Sequence, residues 1–192
     1  SGVYFTFFIG TFSQEKWSPT NPVRFKLSQY AAYHLNHQNI LTHFIGIPLI
    51  VFSILCLTAR AGIDIGNFKV TLAMVLIAVS TIYYLFLDKV FGLLMLIILV
   101  AVYPLASQIA QLSLGHWLAA SIGFFVVGWA FQFVGHYFEK KKPAFVDDVI
   151  GLAIGPLFVL AEFIFMLGFR KPLHERILHE ARSKREMMDL SH

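Results

Sequence analysis

The chain has 192 residues, of which 57% are hydrophobic and only 14% are charged. A soluble domain usually carries about a quarter charged residues, so this composition excludes an ordinary soluble globule and a disordered chain. The net charge of +4 does not indicate a nucleic-acid partner, because the basic residues cluster at the ends of apolar runs. We therefore expect one membrane domain without disulfides, Cys56 being the single cysteine.

Five apolar runs follow a polar, amphipathic N-terminal segment, which we assign to residues 1–39. Each run is close to the ~20 residues that a helix needs to cross a bilayer, and in hydrocarbon each must be helical to satisfy its backbone. The runs are Ile40–Leu57, Phe68–Leu87, Val90–Ala106, Trp117–Val134 and Ile150–Phe169. The sequence predicts an all-α, polytopic membrane helical bundle at residues 40–170, followed at 171–192 by a charged C-terminal tail that forms a solvated helix or frayed end.

The fifth run differs from the others because it contains Gly155, Pro156 and the ionisable Glu162. If only the first four runs cross, thirteen of the 15 Lys and Arg residues share one side with both termini, and only Arg60 and Lys69 lie on the other. A fifth crossing would remove this asymmetry. The positive-inside rule therefore favours four crossings plus a membrane-associated or re-entrant fifth segment, with the N-terminus in the cytoplasm. An integral protein of a bacterial inner membrane or of the endoplasmic reticulum is expected.

Histidines occur at both ends of the first four runs. His34, His37 and His43 precede or begin the first run, and His136 follows the fourth. Four crossings are an even number, so the chain returns to the starting membrane face before His136, and the two groups can meet. Imidazole is a strong ligand for Fe, Zn, Cu and Ni, so a metal site at the membrane boundary is possible without any thiolate.

Local geometry restricts which of these side chains can share an ion. On one unbroken helix His34 and His43 lie about 180° apart, so both can bind one ion only if the helix breaks between them. Asn36 and Asn39 favour such a break, and Asn39 is a candidate cap for the first transmembrane helix. Glu139 lies three residues after His136, on the same helix face, and could add a carboxylate.

Other polar residues in or near the membrane have simpler interpretations. His37 and His116 are typical of polar anchors or packing residues, and Glu162 receives no role. Lys140–Lys142 are better explained as a topology signal or a contact with lipid headgroups than as a substrate clamp. We expect solvated side chains for the remaining histidines, which are His174, His179 and His192.

Two motifs resemble a known family. The stretch YHLNHQNILTHFIGIP and the later block from Trp129 to Pro143 are similar to the small membrane family that includes the fungal 2-hydroxy-palmitate dioxygenase, formerly a domain of unknown function. The resemblance covers about residues 27–170. It implies an iron(II)-dependent enzyme that uses molecular oxygen to shorten long-chain 2-hydroxy fatty acids by one carbon. The motif residues carried over are Tyr33, His34, Asn39, His43, Gln132, Gly135, His136, Glu139, Pro143 and Ala144.

On this resemblance, His34, His43 and His136 are expected to bind one Fe(2+), with Glu139 or water completing its ligands. Tyr33, Asn39 and Gln132 are expected around these ligands, where Asn39 and Gln132 would orient the histidine rings. The acyl chain of the substrate would lie between apolar helices, beside membrane lipid. Two other classes stay open: a non-enzymatic membrane protein that binds lipid or acts as a scaffold, and a zinc-dependent membrane hydrolase.

Overall fold

A computed structural model describes residues 21–148 and 150–190. Residues 1–20 of the predicted N-terminal segment and His192 of the predicted tail lie outside this part of the chain. The described residues form seven α-helices, a two-stranded hairpin and a short 3₁₀ turn at Ala144–Val146. In chain order the elements are α1 (Pro22–Ala31), α2 (His37–Ala59), β1 (Gly62–Ile65), β2 (Phe68–Thr71), α3 (Leu72–Leu87), α4 (Lys89–Ala110), α5 (Leu114–Glu139), α6 (Gly151–Met166) and α7 (Lys171–Leu190).

The outer surface of the helices is apolar. Large side chains such as Val79, Phe86 and Val126 are 60%, 80% and 58% exposed, and a surface of this kind is typical of helices that face lipid. Three helices, α2, α4 and α5, are long and apolar enough to cross a membrane, and α3 and α6 are shorter apolar helices. The described helices confirm the all-α bundle, and their length and composition are those of a membrane protein. The count of four crossings stays a prediction.

A β-hairpin joins α2 to α3. Ile65 and Phe68 pair across a two-residue turn, in which Gly66 has a φ of 62° that a glycine adopts without strain. Thr71 then begins α3, because its hydroxyl accepts a hydrogen bond from the backbone N–H of Met74. The prediction that the run Phe68–Leu87 is helical throughout is therefore wrong for its first four residues, which form β2.

Helices α2 and α5 pack against each other in antiparallel orientation. Gly46 faces Gly128, and a Cβ at Gly46 would lie 2.7 Å from the Gly128 carbonyl oxygen. Seven residues further along each helix, the Ser53 hydroxyl donates to the Ser121 carbonyl at 2.8 Å. Small residues permit such close approach in membrane helices, and a seven-residue spacing keeps one face of each helix on its partner. The N-terminus of α2 consequently lies beside the C-terminus of α5.

Both ends of α6 contact the same end of this bundle. Near its start, the Ala153 carbonyl accepts a hydrogen bond from the Tyr84 hydroxyl at 2.8 Å. Just after its end, Arg170 forms a 2.9 Å ion pair with Asp88, in the turn between α3 and α4. Since Tyr84 and Asp88 are one helical turn apart, these contacts hold both ends of α6 close to the turn between α3 and α4. A membrane-associated or re-entrant fifth segment stays a prediction.

Helix α7 packs against α1 at the same end of the bundle. Leu173, Ile177 and Ala181 recur every four residues along α7 and are buried, which is the pattern of a helix with one packed face. The prediction of a solvated tail is therefore wrong for this face. It is also wrong for His174, whose ring stacks on Phe165 with ring centroids 4.6 Å apart.

Candidate metal centre

Three buried histidines converge where α2 begins and α5 ends. One nitrogen from each of His34, His43 and His136 lies within 4.8 Å of the others. The residues are 2%, 1% and 8% exposed, respectively. Within the described residues, this is the one group of at least three potential ligands with such spacing. The two histidine neighbourhoods therefore meet, as four intervening helices would allow.

A break in the chain brings His34 and His43 together. Helix α1 ends at Ala31, and α2 begins only at His37. Asn36 caps α2, since its side-chain oxygen accepts a hydrogen bond from the backbone N–H of Gln38 at 2.8 Å. The predicted break is confirmed, but the cap is Asn36 rather than Asn39, because α2 starts three residues earlier than the apolar run.

Backbone carbonyls orient two of the rings. His34 Nδ1 lies 2.7 Å from the Tyr30 carbonyl oxygen, and His43 Nδ1 lies 2.8 Å from that of Asn39. A carbonyl oxygen only accepts hydrogen bonds, so each Nδ1 carries the proton and each Nε2 presents a lone pair. These two Nε2 atoms are 3.1 Å apart. Two facing lone pairs repel each other, so this geometry is suited to a cation that both nitrogens bind.

His136 completes the group from α5. Its ring centroid lies 4.9 Å from that of His34 and 5.2 Å from that of His43. Its Nδ1 atom is buried, and the ring interacts with the backbone of Lys141. Three imidazoles therefore fit a divalent transition metal. The donor set suits iron, zinc, copper or nickel and does not by itself select among them.

The environment keeps His34 in the form that binds metals. Burial lowers the pKa of His34 well below its ordinary value, and the neighbouring His43 lowers this pKa further. The Tyr30 ring, stacked on His34 with centroids 4.1 Å apart, covers one face of the imidazole. Neutral imidazole is the ligating form, so His34 is ready to bind at neutral pH without losing a proton.

Glu139, the predicted fourth ligand, lies beside the three histidines, and both of its carboxylate oxygens have polar partners in other parts of the chain. Oε2 accepts hydrogen bonds from the backbone N–H of Asn36 at 2.8 Å and from Asn39 Nδ2 at 3.0 Å. Oε1 pairs with Arg185 at 3.0 Å, and the Glu139 side chain is only 2% exposed. Among the described residues, Glu139 is not part of the group of close ligand nitrogens. Its contacts hold the first turn of α2 against the end of α5.

Arg185 is the residue of this site that the sequence did not indicate. From α7 it reaches Glu139 and also donates to the Ala32 carbonyl oxygen at 2.6 Å, in the break between α1 and α2. One guanidinium thus connects three segments around the histidines. Its position within a charged run gave no signal, since nothing local distinguishes it from its exposed neighbour Arg182.

The residues predicted around the ligands have different surroundings. Asn39 holds His43 through its backbone, while its side chain donates to Glu139. The Tyr33 hydroxyl donates to Asp147 at 2.7 Å, and burial together with this acceptor raises the pKa of Tyr33 to about 12. Gln132 is buried one helical turn before His136, and its Nε2 lies in the space that a side chain at position 46 would need.

The packing of α5 against α2 explains why the second motif has a glycine at position 135. A Cβ at this position would collide with Thr42 Oγ1 and Asn39 Oδ1, so only glycine lets α5 approach α2 at the level of His43.

The remaining polar candidates lie outside the group of histidines. His37 is exposed, and His116 is exposed at the start of α5, where its Nδ1 lies 2.7 Å from the Ser113 hydroxyl. Lys141 pairs with Asp189, and Lys142 pairs with Asp147. Pro143 and Ala144 line the cavity beside His136.

Comparison with known proteins identifies the family. The family described as 2-hydroxy-palmitic acid dioxygenase Mpo1-like matches residues 20–167. The 2-hydroxy-palmitic acid dioxygenase MPO1 of Saccharomyces cerevisiae is 34% identical over 165 residues, which are 84% of this chain and 91% of the yeast protein. No solved structure matches the chain. The three converging histidines therefore lie within the matched region of a chain that belongs to the Mpo1-like family.

Proposed function

We propose that this protein is an Fe(II)-dependent dioxygenase that shortens long-chain 2-hydroxy fatty acids by one carbon. The observation that carries the proposal is the arrangement of His34, His43 and His136, whose potential ligand nitrogens lie within 4.8 Å of one another in a buried site. The name of the yeast relative supports the substrate class and the use of oxygen.

In this proposal each residue of the site has a defined task. His34, His43 and His136 hold the metal. The Tyr30 and Asn39 carbonyls fix the proton on Nδ1 of the first two rings, so that Nε2 stays available. Glu139 is a positioning residue, which keeps the first turn of α2 in place through Asn36 and Asn39.

The proposed reaction balances without an external reductant. A 2-hydroxy acid RCH(OH)COOH and O₂ give the shortened acid RCOOH, CO₂ and H₂O, with cleavage of the bond between C1 and C2. Bound Fe(II) would supply the open coordination positions and the electrons that activate oxygen toward a spin-paired substrate. The chain itself supplies a buried site with apolar walls, which excludes water from the reacting carbon.

We also propose that the histidine site faces the cytoplasm of a bacterial cell, or the cytoplasmic side of the endoplasmic reticulum. Arg170 and Arg185 lie at the site end of the bundle, whereas Arg60 lies at the opposite end and donates to the Leu112 carbonyl. This distribution follows the positive-inside rule.

A product assay tests the proposal. Iron-loaded protein in detergent is incubated with 2-hydroxyhexadecanoate and oxygen, and the acids are analysed by mass spectrometry. We expect the fifteen-carbon acid to accumulate in an oxygen-dependent reaction and to be absent with His136→Ala. Protein that contains iron but forms no shortened acid would contradict the proposal. Oxygen-independent hydrolysis with bound zinc would favour a hydrolase, and absence of any stoichiometric metal would favour a lipid-binding or scaffold protein.

A further inference from the structure

An apolar cavity of about 240 Å³ opens beside His136. It lies between α1, α2, α5 and α6, and its polar lining is confined to Tyr30, Trp129, Gln132 and His136. The rest of its wall is aliphatic or aromatic or consists of glycine and proline. We call this space the proximal cavity. A ligand that fills it would have a polar group near the histidines and an apolar body away from them.

A second, mainly apolar cavity of about 210 Å³ lies next to the proximal cavity, and Ile54 and Leu152 in its lining are 39% and 50% exposed at the outer surface. Four residues line both spaces: Val51, Ile54, Leu152 and Pro156. Beyond this shared wall, the second space reaches α3 and α4, where Ser80 and Leu99 are part of its lining. We call it the distal cavity. Because four residues of α2 and α6 line both spaces, a flexible apolar chain that passes these side chains would occupy both.

We propose that the proximal and distal cavities together form the binding channel for the acyl chain of a 2-hydroxy fatty acid, with the carboxyl end at His136 and the methyl end near Leu99. This inference rests on the proposed function and adds a chain-length determinant to it. The occupant is a single acyl chain, since the wall is mainly apolar, and only Ser80 and Tyr84 add polar atoms to the lining of the distal cavity.

The channel would favour long acids, because more of their acyl chain is buried in the protein. Each methylene group that leaves water strengthens binding about fourfold, so a long acid that fills both cavities gains more affinity than a short acid that fills only the proximal one. Ser80 and Leu99 of the distal cavity should therefore set chain-length preference, although they lie on α3 and α4, which carry none of the three histidines.

Two neighbouring positions of α3 provide the test. Ser80 lines the distal cavity, whereas Val79 is 60% exposed on the outer surface of the same helix. Ser80→Phe places a ring in the channel, and Val79→Phe is the matched control that adds a ring toward lipid. Leu99→Ala enlarges the same cavity from α4. Chain-length preference is measured as the ratio of kcat/KM for 2-hydroxyhexadecanoate to that for 2-hydroxyoctanoate.

We expect Ser80→Phe to lower this ratio by about tenfold or more, because the phenylalanine ring fills the space that the distal part of the long chain would occupy. Val79→Phe should leave the ratio within about twofold of the wild type, and Leu99→Ala should extend the preference to longer acids. An unchanged ratio in Ser80→Phe, with folded protein, would overturn the channel.

Binding of radiolabelled 2-hydroxyhexadecanoate to the same proteins separates the channel from the chemistry. Binding that is weakened by Ser80→Phe but not by Val79→Phe supports the channel even if no acid is shortened, and in that case the proposed function alone fails. Binding that responds equally to both substitutions, or to neither, contradicts the channel whatever the activity.

Discussion

Replacing His43 with Ala is expected to lower turnover of 2-hydroxyhexadecanoate by at least about 100-fold, because loss of a residue that only supports a ligand already costs roughly 10–100-fold. His43 is 1% exposed, and its Nε2 lies 3.1 Å from that of His34. Removal of the ring leaves a group of two histidines, too few to hold the metal firmly. The measurement is the initial rate of formation of the fifteen-carbon acid at saturating oxygen.

The control for this substitution lies two turns away on the same helix. His37→Ala removes an exposed imidazole in the first turn of α2 and should leave the rate within about twofold. Added imidazole should restore part of the activity of His43→Ala, since a free ring can enter the space left by the side chain. Activity of His43→Ala near that of the wild type would show that this histidine is not a ligand.

Replacing Arg185 with Ala is expected to destabilise the protein by about 3 kcal/mol, because it leaves a buried carboxylate without its cation. Glu139 is 2% exposed in its side chain and lies 3.0 Å from the Arg185 guanidinium. The released carboxylate would also loosen the first turn of α2, which it holds through Asn36. We therefore expect a lower midpoint of unfolding in detergent together with weaker metal binding.

Two further variants isolate the ion pair from general effects on α7. Arg182→Ala removes an exposed guanidinium from the same helix and should change stability by less than about 0.5 kcal/mol. Glu139→Gln removes the buried charge, so adding Arg185→Ala to it should cost much less than Arg185→Ala alone. Additive effects of the two substitutions would contradict the ion pair as the source of stability.

The sequence was sufficient to predict the convergence of the histidines. An even number of helices between His43 and His136 returns the chain to the same end of the bundle, and this argument does not depend on how many residues each helix contains. The need for a break between His34 and His43 also followed from helix geometry alone. Prediction succeeded at these points because periodicity and connectivity determine them.

Long-range contacts could not be predicted in the same way. The pairing of Arg185 with Glu139 joins residues 46 positions apart, and no local pattern distinguishes this arginine from others in the tail. The cap at Asn36 was missed because α2 begins three residues before its apolar run. A long-range hydrogen bond from the Asn36 backbone N–H to Glu139 helps to fix this start, and no local pattern indicates it. The hairpin at β1 and β2 was missed because Phe68 and Val70 of β2 continue without a turn signal into the apolar run of α3.

The most direct measurement is the number of Fe(II) ions bound per chain, obtained by metal analysis of protein purified and loaded without oxygen. The account predicts one ion per chain in the wild type and little or none in His136→Ala, when both proteins are folded. X-ray absorption at the iron edge on the same samples should show imidazole ligands. Equal iron in the two proteins, or no stoichiometric iron in the wild type, would contradict a metal centre built from His34, His43 and His136.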